Sequence, residues 1–374
     1  MTRTLVLTND FPPRPGGIQA FVHALARHLD DVVVYAPAWR GADRFDRAQP
    51  FPVVRHPTSL MLPVPDVRRR ARDIIRSENC DAVLYGAAAP LGLLTGRLRS
   101  AGIARAVGVT HGHETGWAML PGARGVLRRI GDELDALTYL GKYTRERLAP
   151  ALSADAAARM VQLAPGVDHR TFRPGVGGAE IRTRLGLGDR PVVVCVSRLV
   201  PRKGQDTLLR AWPRVAAAVP GAALLLVGDG PYRQRLRRLA DDLGIGPAVT
   251  FTGSLPWDEL PAHFDAGDVF AMPCRTRLRG LDVEGLGIVY LEAAACGLPV
   301  IAGDSGGAPE TVLPGETGYV VDGCSVAAVA DRAIELLRDP VRARAMGRRG
   351  REWVRQAWGW DAVTTRLRAL LTPP

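Results

Sequence analysis

Glu284 and Glu292 stand eight residues apart, on either side of Gly285-Leu286-Gly287 and an apolar run, Ile288-Val-Tyr-Leu291. Read as one helix, that spacing gives about 12 Å of rise and about 80° of rotation between the two side chains. Carboxylates so far apart do not act on a single bond in the manner of a glycosidase pair. They suit the two ends of one long ligand. Glu284 lies ahead of the helix, Gly285 to Gly287 offer amides at its positive end, and Glu292 lies further in. Amides at a helix N-terminus attract phosphate, and carboxylates accept from hydroxyls. Hydroxyl, phosphate, hydroxyl is the outline of a sugar nucleotide. The alternative, two glutamates that cap and solvate a surface helix, leaves the apolar run between them unexplained.

Ser197-Arg-Leu-Val-Pro-Arg-Lys-Gly204 fits the same ligand. Arg198 and Lys203, with a glycine opening the next helix, would hold a diphosphate by charge-assisted bonds and a helix end. Lys203 is one of only two lysines in the chain, the other being Lys142, so its place beside that glycine is not an effect of composition. The other reading is a solvated basic turn. Near the N-terminus, Asn9-Asp-Phe-Pro-Pro-Arg-Pro-Gly-Gly-Ile-Gln19 has a Gly16-Gly17 pair that either lets the backbone approach a ligand or simply makes a turn. It is not the dinucleotide pattern, and no acidic residue ends the second strand, Asp31–Ala36. Thr110-His-Gly-His-Glu-Thr-Gly-Trp117 brings histidines to a strand end. His111, His113 and Glu114 have metal-ligating types, yet their spacing is not that of a helical zinc motif.

These motifs need a framework that carries them at strand ends. Apolar runs 4–9, 31–36, 82–85 and 106–110 alternate with helical stretches such as 18–29 in the first half. Runs 191–196, 222–227, 249–251, 269–272 and 299–302 restart the rhythm in the second. Continuous β-branched runs between helices mean parallel sheets covered on both faces. Proline and glycine cluster at Phe172-Arg-Pro-Gly-Val-Gly-Gly178, between the halves. The expected fold is α/β, with two Rossmann-like domains facing a cleft. A chain of 374 residues also favours two cores.

Composition excludes several classes. Apolar and charged fractions of 47% and 23% are those of a globular protein. No apolar run approaches a transmembrane length, and no signal segment opens the chain. Five scattered cysteines without a CxxC pair suggest reduced thiols in a cytoplasm. The net charge of +11 is carried by arginine. Two basic stretches, 67–76 with Arg68, Arg69, Arg70, Arg72 and Arg76, and 125–130 with Arg128 and Arg129, read as solvated helix faces or as attachments to an anionic membrane. Aromatics do not interleave with them, which argues against nucleic acid.

Together the motifs resemble retaining GT-B glycosyltransferases of family 4, over nearly the whole chain. Glu284–Glu292 is similar to the family's E-x7-E signature, Ser197–Gly204 to its donor-phosphate motif, and Ser305-Gly-Gly-Ala-Pro-Glu310 to its loop behind the sugar. Within the family, Asn9–Gln19, Thr110–Glu114 and Arg279–Glu292 are most similar to the actinobacterial phosphatidylinositol-mannoside mannosyltransferases. The resemblance implies an N-terminal acceptor domain, 1–172 plus 357–374, to which a last helix at Trp358-Gly-Trp-Asp361 returns. It implies a C-terminal nucleotide-sugar domain, 173–356. Glu284 would bind hexose hydroxyls, Glu292 the ribose, and Arg198 and Lys203 the diphosphate with the amides of Gly285, Leu286 and Gly287. Gly253 would leave room for the nucleotide. Gly16 and Gly17 would approach the donor phosphate, and Asn9, Asp10 and Gln19 the acceptor. His111, or its neighbour His113, would face the sugar; His111 is nearer the strand.

No Asp-x-Asp occurs, in keeping with a leaving group neutralised without metal or other cofactor. The implied reaction is transfer of an α-mannosyl group from GDP-mannose to an anionic inositol phospholipid, by an enzyme attached peripherally to the inner face of the plasma membrane. Two alternatives stay open: a family 4 enzyme with another donor or a soluble acceptor, and a sugar-nucleotide-binding protein or epimerase without transfer activity.

Overall fold

Each of the nine apolar runs above forms a strand; eight lie inside their sheets, covered on both faces, and the ninth, at 249–253, is a half-buried edge. The computed structural model describes residues 2–112 and 114–373. The chain divides into two units, Met1–Pro165 with Asp361–Pro374, and Gly166–Trp360.

Unit 1 carries β1 (Thr4–Leu7), β2 (Val32–Pro37), β3 (Val53–His56), β4 (Ala82–Tyr85), β5 (Arg105–Gly108), β6 (Ala136–Tyr139) and β7 (Met160–Gln162). They form one sheet in the order β3-β2-β1-β4-β5-β6-β7, parallel at every pairing. Its core gathers Leu5, Leu7, Val33, Tyr35, Val83 and Tyr85. The terminal helix, Trp360–Leu371, is held to this unit from Asp361 onward. Arg105 Nε donates to Leu370 O (2.9 Å), and Arg368 pairs with Asp30 at 2.6 Å.

Unit 2 carries β8 (Val192–Val196), β9 (Ala223–Val227), β10 (Val249–Gly253), β11 (Val269–Met272), β12 (Val300–Gly303) and β13 (Gly318–Val321). Its parallel sheet has the order β10-β9-β8-β11-β12-β13 around a separate core that includes Trp212, Phe264, Phe270 and Tyr290. The strand order therefore reverses between β8 and β11, as it does between β1 and β4 in unit 1. In open parallel sheets ligands bind beyond the carboxyl ends of the strands at such a reversal. Both units are the Rossmann-like α/β layers expected from the sequence.

Candidate functional site

The chain leaves β8 into Ser197–Gly204 and leaves β11 into the segment that reaches Glu284, so two of the motifs meet at the reversal of unit 2. After β8, Pro201–Lys203 makes one 3-10 turn, and Gly204 then caps the Gln205–Ala218 helix at φ +75°. A β-carbon on Gly204 would stand 1.8 Å from Pro273 O, so only glycine lets these two loops touch. Gln205, fully buried, donates through Nε2 to Ser197 Oγ (2.8 Å) and to Arg198 O (3.1 Å), which fixes the loop. Arg198 is exposed and Lys203 is buried. Lys203 Nζ lies 2.6 Å from Glu284 Oε2. Arg202, which the sequence reading passed over, places Nη1 3.5 Å from Asp282 Oδ1 and Nε 3.9 Å from Glu284 Oε2. The cation chosen for phosphate and the carboxylate chosen for sugar are thus direct neighbours.

Glu284 is held by the loop after β12. Its N–H donates to Ser305 Oγ (3.3 Å), and Gly307 N–H donates to its carbonyl (2.9 Å). Gly306 adopts φ +58°, and a β-carbon there would meet Glu284 O at 1.9 Å. Ser305–Glu310, read from the sequence as the wall behind the sugar, is therefore packed directly against the Glu284 backbone. The helix itself runs only Ile288–Ala295, with Gly287 at φ +83° as its cap. The single-helix geometry of about 12 Å and about 80° does not apply. Glu292 is on the helix and Glu284 is not, because Gly287 turns the chain before the helix begins. Leu286 is buried and Gly285 half-buried in that turn. Glu292 is half-buried, and desolvation pushes its pKa from 4.5 up to about 7. A carboxylate held in this state gains most from a ligand that donates hydroxyls to it.

Gly253 ends β10 at φ +80°, beside the guanidinium of Arg233. Arg233 pairs with Asp229 at 2.8 Å, and Gly230 N–H donates to Asp229 Oδ1 (2.7 Å). Asp229, Gly230 and Arg233 were missed by sequence reasoning. The signal was Gly228-Asp-Gly-Pro231 directly after β9.

In unit 1, the acceptor candidates fall into two groups. Asn9 is buried and spends its whole amide on one neighbour: Nδ2 donates to Met61 O (2.9 Å) and Oδ1 accepts from Met61 N–H (2.7 Å). Asn9 therefore fixes the loop that carries exposed Leu60, Leu62 and Val64. Asp10 accepts from Gln19 Nε2 at 2.7 Å, joining the two ends of the Asn9–Gln19 segment. Gly16 and Gly17 are exposed at the start of the Gly17–Arg27 helix. His111 follows β5. Its N–H donates to Glu114 Oε2 (2.9 Å), its ring Nε2 lies 2.5 Å from Gly86 O, and its ring stands edge-on to Phe21. The carbonyl partner makes Nε2 the protonated ring nitrogen. His113 lies outside the described residues. Among the described residues, no group of three His, Cys, Asp or Glu is placed to hold a metal ion.

The basic stretches are helices, Pro65–Ser77 and Pro121–Glu133. Arg69, Arg70, Arg76, Arg128 and Arg129 are exposed, and Arg129 pairs with Glu133. No helix among the described residues is long and apolar enough to cross a membrane.

Residues 15–171 match the family described as Glycosyltransferase Family 4, and residues 179–353 the family described as Glycosyl transferases group 1. The chain is 56% identical, over 98% of its length and 97% of the relative's, to the GDP-mannose-dependent alpha-(1-6)-phosphatidylinositol monomannoside mannosyltransferase of Mycobacterium tuberculosis. It is 48% identical, over 99% and 97%, to a Corynebacterium glutamicum protein whose name specifies the monoacylated form of that acceptor. Among solved structures it is similar to Anabaena HepE in complex with UDP, with a TM-score of 0.82, 19% identity and coverage of 98% and 99%.

Proposed function

The chain belongs to glycosyltransferase family 4, and from that premise we propose that it transfers an α-mannosyl group from GDP-mannose to a phosphatidylinositol mannoside, with retention of configuration. The observation that carries this reading is the Lys203–Glu284 contact at the strand-order reversal, in a chain that follows mannosyltransferase relatives from end to end. It sets a cation suited to phosphate beside a carboxylate suited to hydroxyls, the two chemistries that a sugar nucleotide presents together.

In the reaction, the bond from the anomeric carbon to the diphosphate oxygen breaks and its electron pair leaves with the diphosphate. Arg198, Lys203 and the amides around Gly287 neutralise that charge, and Glu284 orients the oxocarbenium-like sugar through its hydroxyls. The acceptor hydroxyl attacks the face that the diphosphate leaves, and its proton passes to the departing phosphate oxygen. Glu292 holds the ribose throughout, and Gly253 leaves room for the nucleotide. His111, its ring fixed by Gly86, would face the sugar. The Asn9–Gln19 segment would serve the acceptor, with Asp10 and Gln19 as contacts and Asn9 acting through Met61. A lipid acceptor requires the enzyme at a bilayer. The arginines of Pro65–Ser77 and Pro121–Glu133 supply peripheral attachment at about 1 kcal/mol each near an anionic surface.

The test is a panel of nucleotide sugars with phosphatidylinositol monomannoside as acceptor, scoring the nucleoside diphosphate released and the anomeric configuration of the product. GDP-mannose should be consumed and the new linkage should be α. Faster turnover of another donor, or a β product, would overturn the reading.

A further inference from the structure

One loop, Arg277-Leu-Arg-Gly-Leu-Asp282, takes no part in the donor chemistry although only Val283 separates it from Glu284. Its ends are tied. Arg277 N–H donates to Asp282 O (2.9 Å), Asp282 N–H to Arg277 O (3.2 Å), and the two side chains pair at 3.1 Å. Between them, Leu278 and Arg279 adopt φ +49° and +54°, ahead of Gly280 at +94°. Glycine or asparagine takes this region readily, whereas leucine and arginine are strained in it. The strain secures nothing for the core: Leu278 and Leu281 are each 65% exposed, with exposed Arg279 between them. Strained residues that hold their side chains in water, beside a binding site, point to a ligand.

Asp282 also lies 3.5 Å from Arg202, which approaches Glu284. The base of the loop is therefore linked by one carboxylate and one guanidinium to the glutamate assigned to the donor sugar. The exposed apolar surface is two side chains wide, far below the roughly 800 Å² per partner of a stable protein interface. No aromatic offers a base a stacking surface.

We propose that Arg277–Asp282 is the contact of unit 2 with the lipid acceptor. Arg279 takes the phosphodiester, and Leu278 and Leu281 take the glycerol and acyl portion that adjoins it. A phospholipid presents one anionic charge beside hydrocarbon, and the tip presents the complement, a cation between two leucines. This rests on the lipid-acceptor reading above.

The test uses the full-length protein, GDP-mannose and two acceptors: acylated phosphatidylinositol monomannoside and its deacylated, water-soluble glycerophospho form. Leu278→Asn with Leu281→Ser removes the hydrocarbon contact, and asparagine tolerates the left-handed backbone, so the loop keeps its shape. This double variant should raise KM for the acylated acceptor at least tenfold, leaving KM for the deacylated one, kcat and GDP affinity unchanged. Arg279→Gln should raise KM for both acceptors, since both carry the phosphate. Equal effects of the double variant on the two acceptors, or none, would overturn the assignment. So would a loss of GDP affinity, which would make the loop part of the donor site. Transfer by the wild type to neither acceptor would instead refute the lipid-acceptor reading itself.

Discussion

Replacing Glu292 by glutamine should stabilise the protein while disabling it, and both effects should grow as pH rises. Desolvation raises the Glu292 pKa from 4.5 to about 7. The folded state is then the better proton binder. The stability this gives is complete below pH 4.5 and is lost as pH rises through about 7. At about 1.4 kcal/mol per tenfold change in proton affinity, ionised Glu292 costs the fold about 3 kcal/mol, of which about 2.5 develops between pH 5 and pH 8.5. Glutamine cannot ionise. Urea denaturation followed by tryptophan fluorescence reports chiefly on unit 2, which holds Trp212, Trp257, Trp353, Trp358 and Trp360. The stability of Glu292→Gln relative to wild type should increase by about 2.5 kcal/mol over that range, an upper value for a half-buried group. The loss of GDP binding should widen over the same range. Ribose hydroxyls donate to the carboxylate, so wild-type affinity should rise with pH up to about 7 and level off. The variant should bind weakly at every pH. A constant stability difference across pH would refute the desolvation, and wild-type GDP affinity in the variant would refute the ribose assignment.

Lys203→Ala should lower kcat/KM by two or more orders of magnitude, roughly 3 kcal/mol of transition-state stabilisation, and EDTA should leave wild-type turnover unchanged. Glu284→Gln should lower kcat while GDP affinity, measured by calorimetry, holds or tightens; a fall would contradict its placement on the sugar. Gly204→Ala should destabilise unit 2 by about 3 kcal/mol or more, read from the urea midpoint, because both φ and the Pro273 carbonyl oppose a β-carbon. Glutamate at Arg68, Arg69 and Arg70 together should abolish salt-sensitive co-sedimentation with anionic vesicles and leave GDP binding intact. Vesicle binding that survives the change would locate the attachment elsewhere.

What the sequence could not display has physical causes. The central strands were legible because both of their faces are buried and their residues form unbroken apolar runs. β3, β7 and β13 lie at sheet edges, where Val-Val-Arg-His and Met-Val-Gln need no such run, and β6 is a four-residue Ala-Leu-Thr-Tyr. Hydrophobic period likewise cannot show where a glycine turns left-handed, so Glu284 and Glu292 read as sharing one helix until Gly287 separated them. The family resemblance assigns Asn9 to the acceptor, and only coordinates reveal that Met61 occupies its amide. Arg202 hid behind Arg198 and Lys203 for a related reason. Its partner Asp282 is distant in sequence, and the two meet only because β8 and β11 are neighbours in the sheet.

The same adjacency gives the donor site its logic. Lys203 and Glu284 are both buried, and either charge left alone there would be costly, on the order of 3–5 kcal/mol when one partner of such a pair is removed. An intact sugar nucleotide offers each a replacement, phosphate for the lysine and hydroxyls for the glutamate. A nucleoside diphosphate offers only the first, and must compete with Glu284 for Lys203. The complete donor is therefore favoured over the product that remains after transfer, and the discrimination resides in one ion pair. Removing the carboxylate abolishes that competition, which is why Glu284→Gln should spare or strengthen GDP binding while lowering turnover.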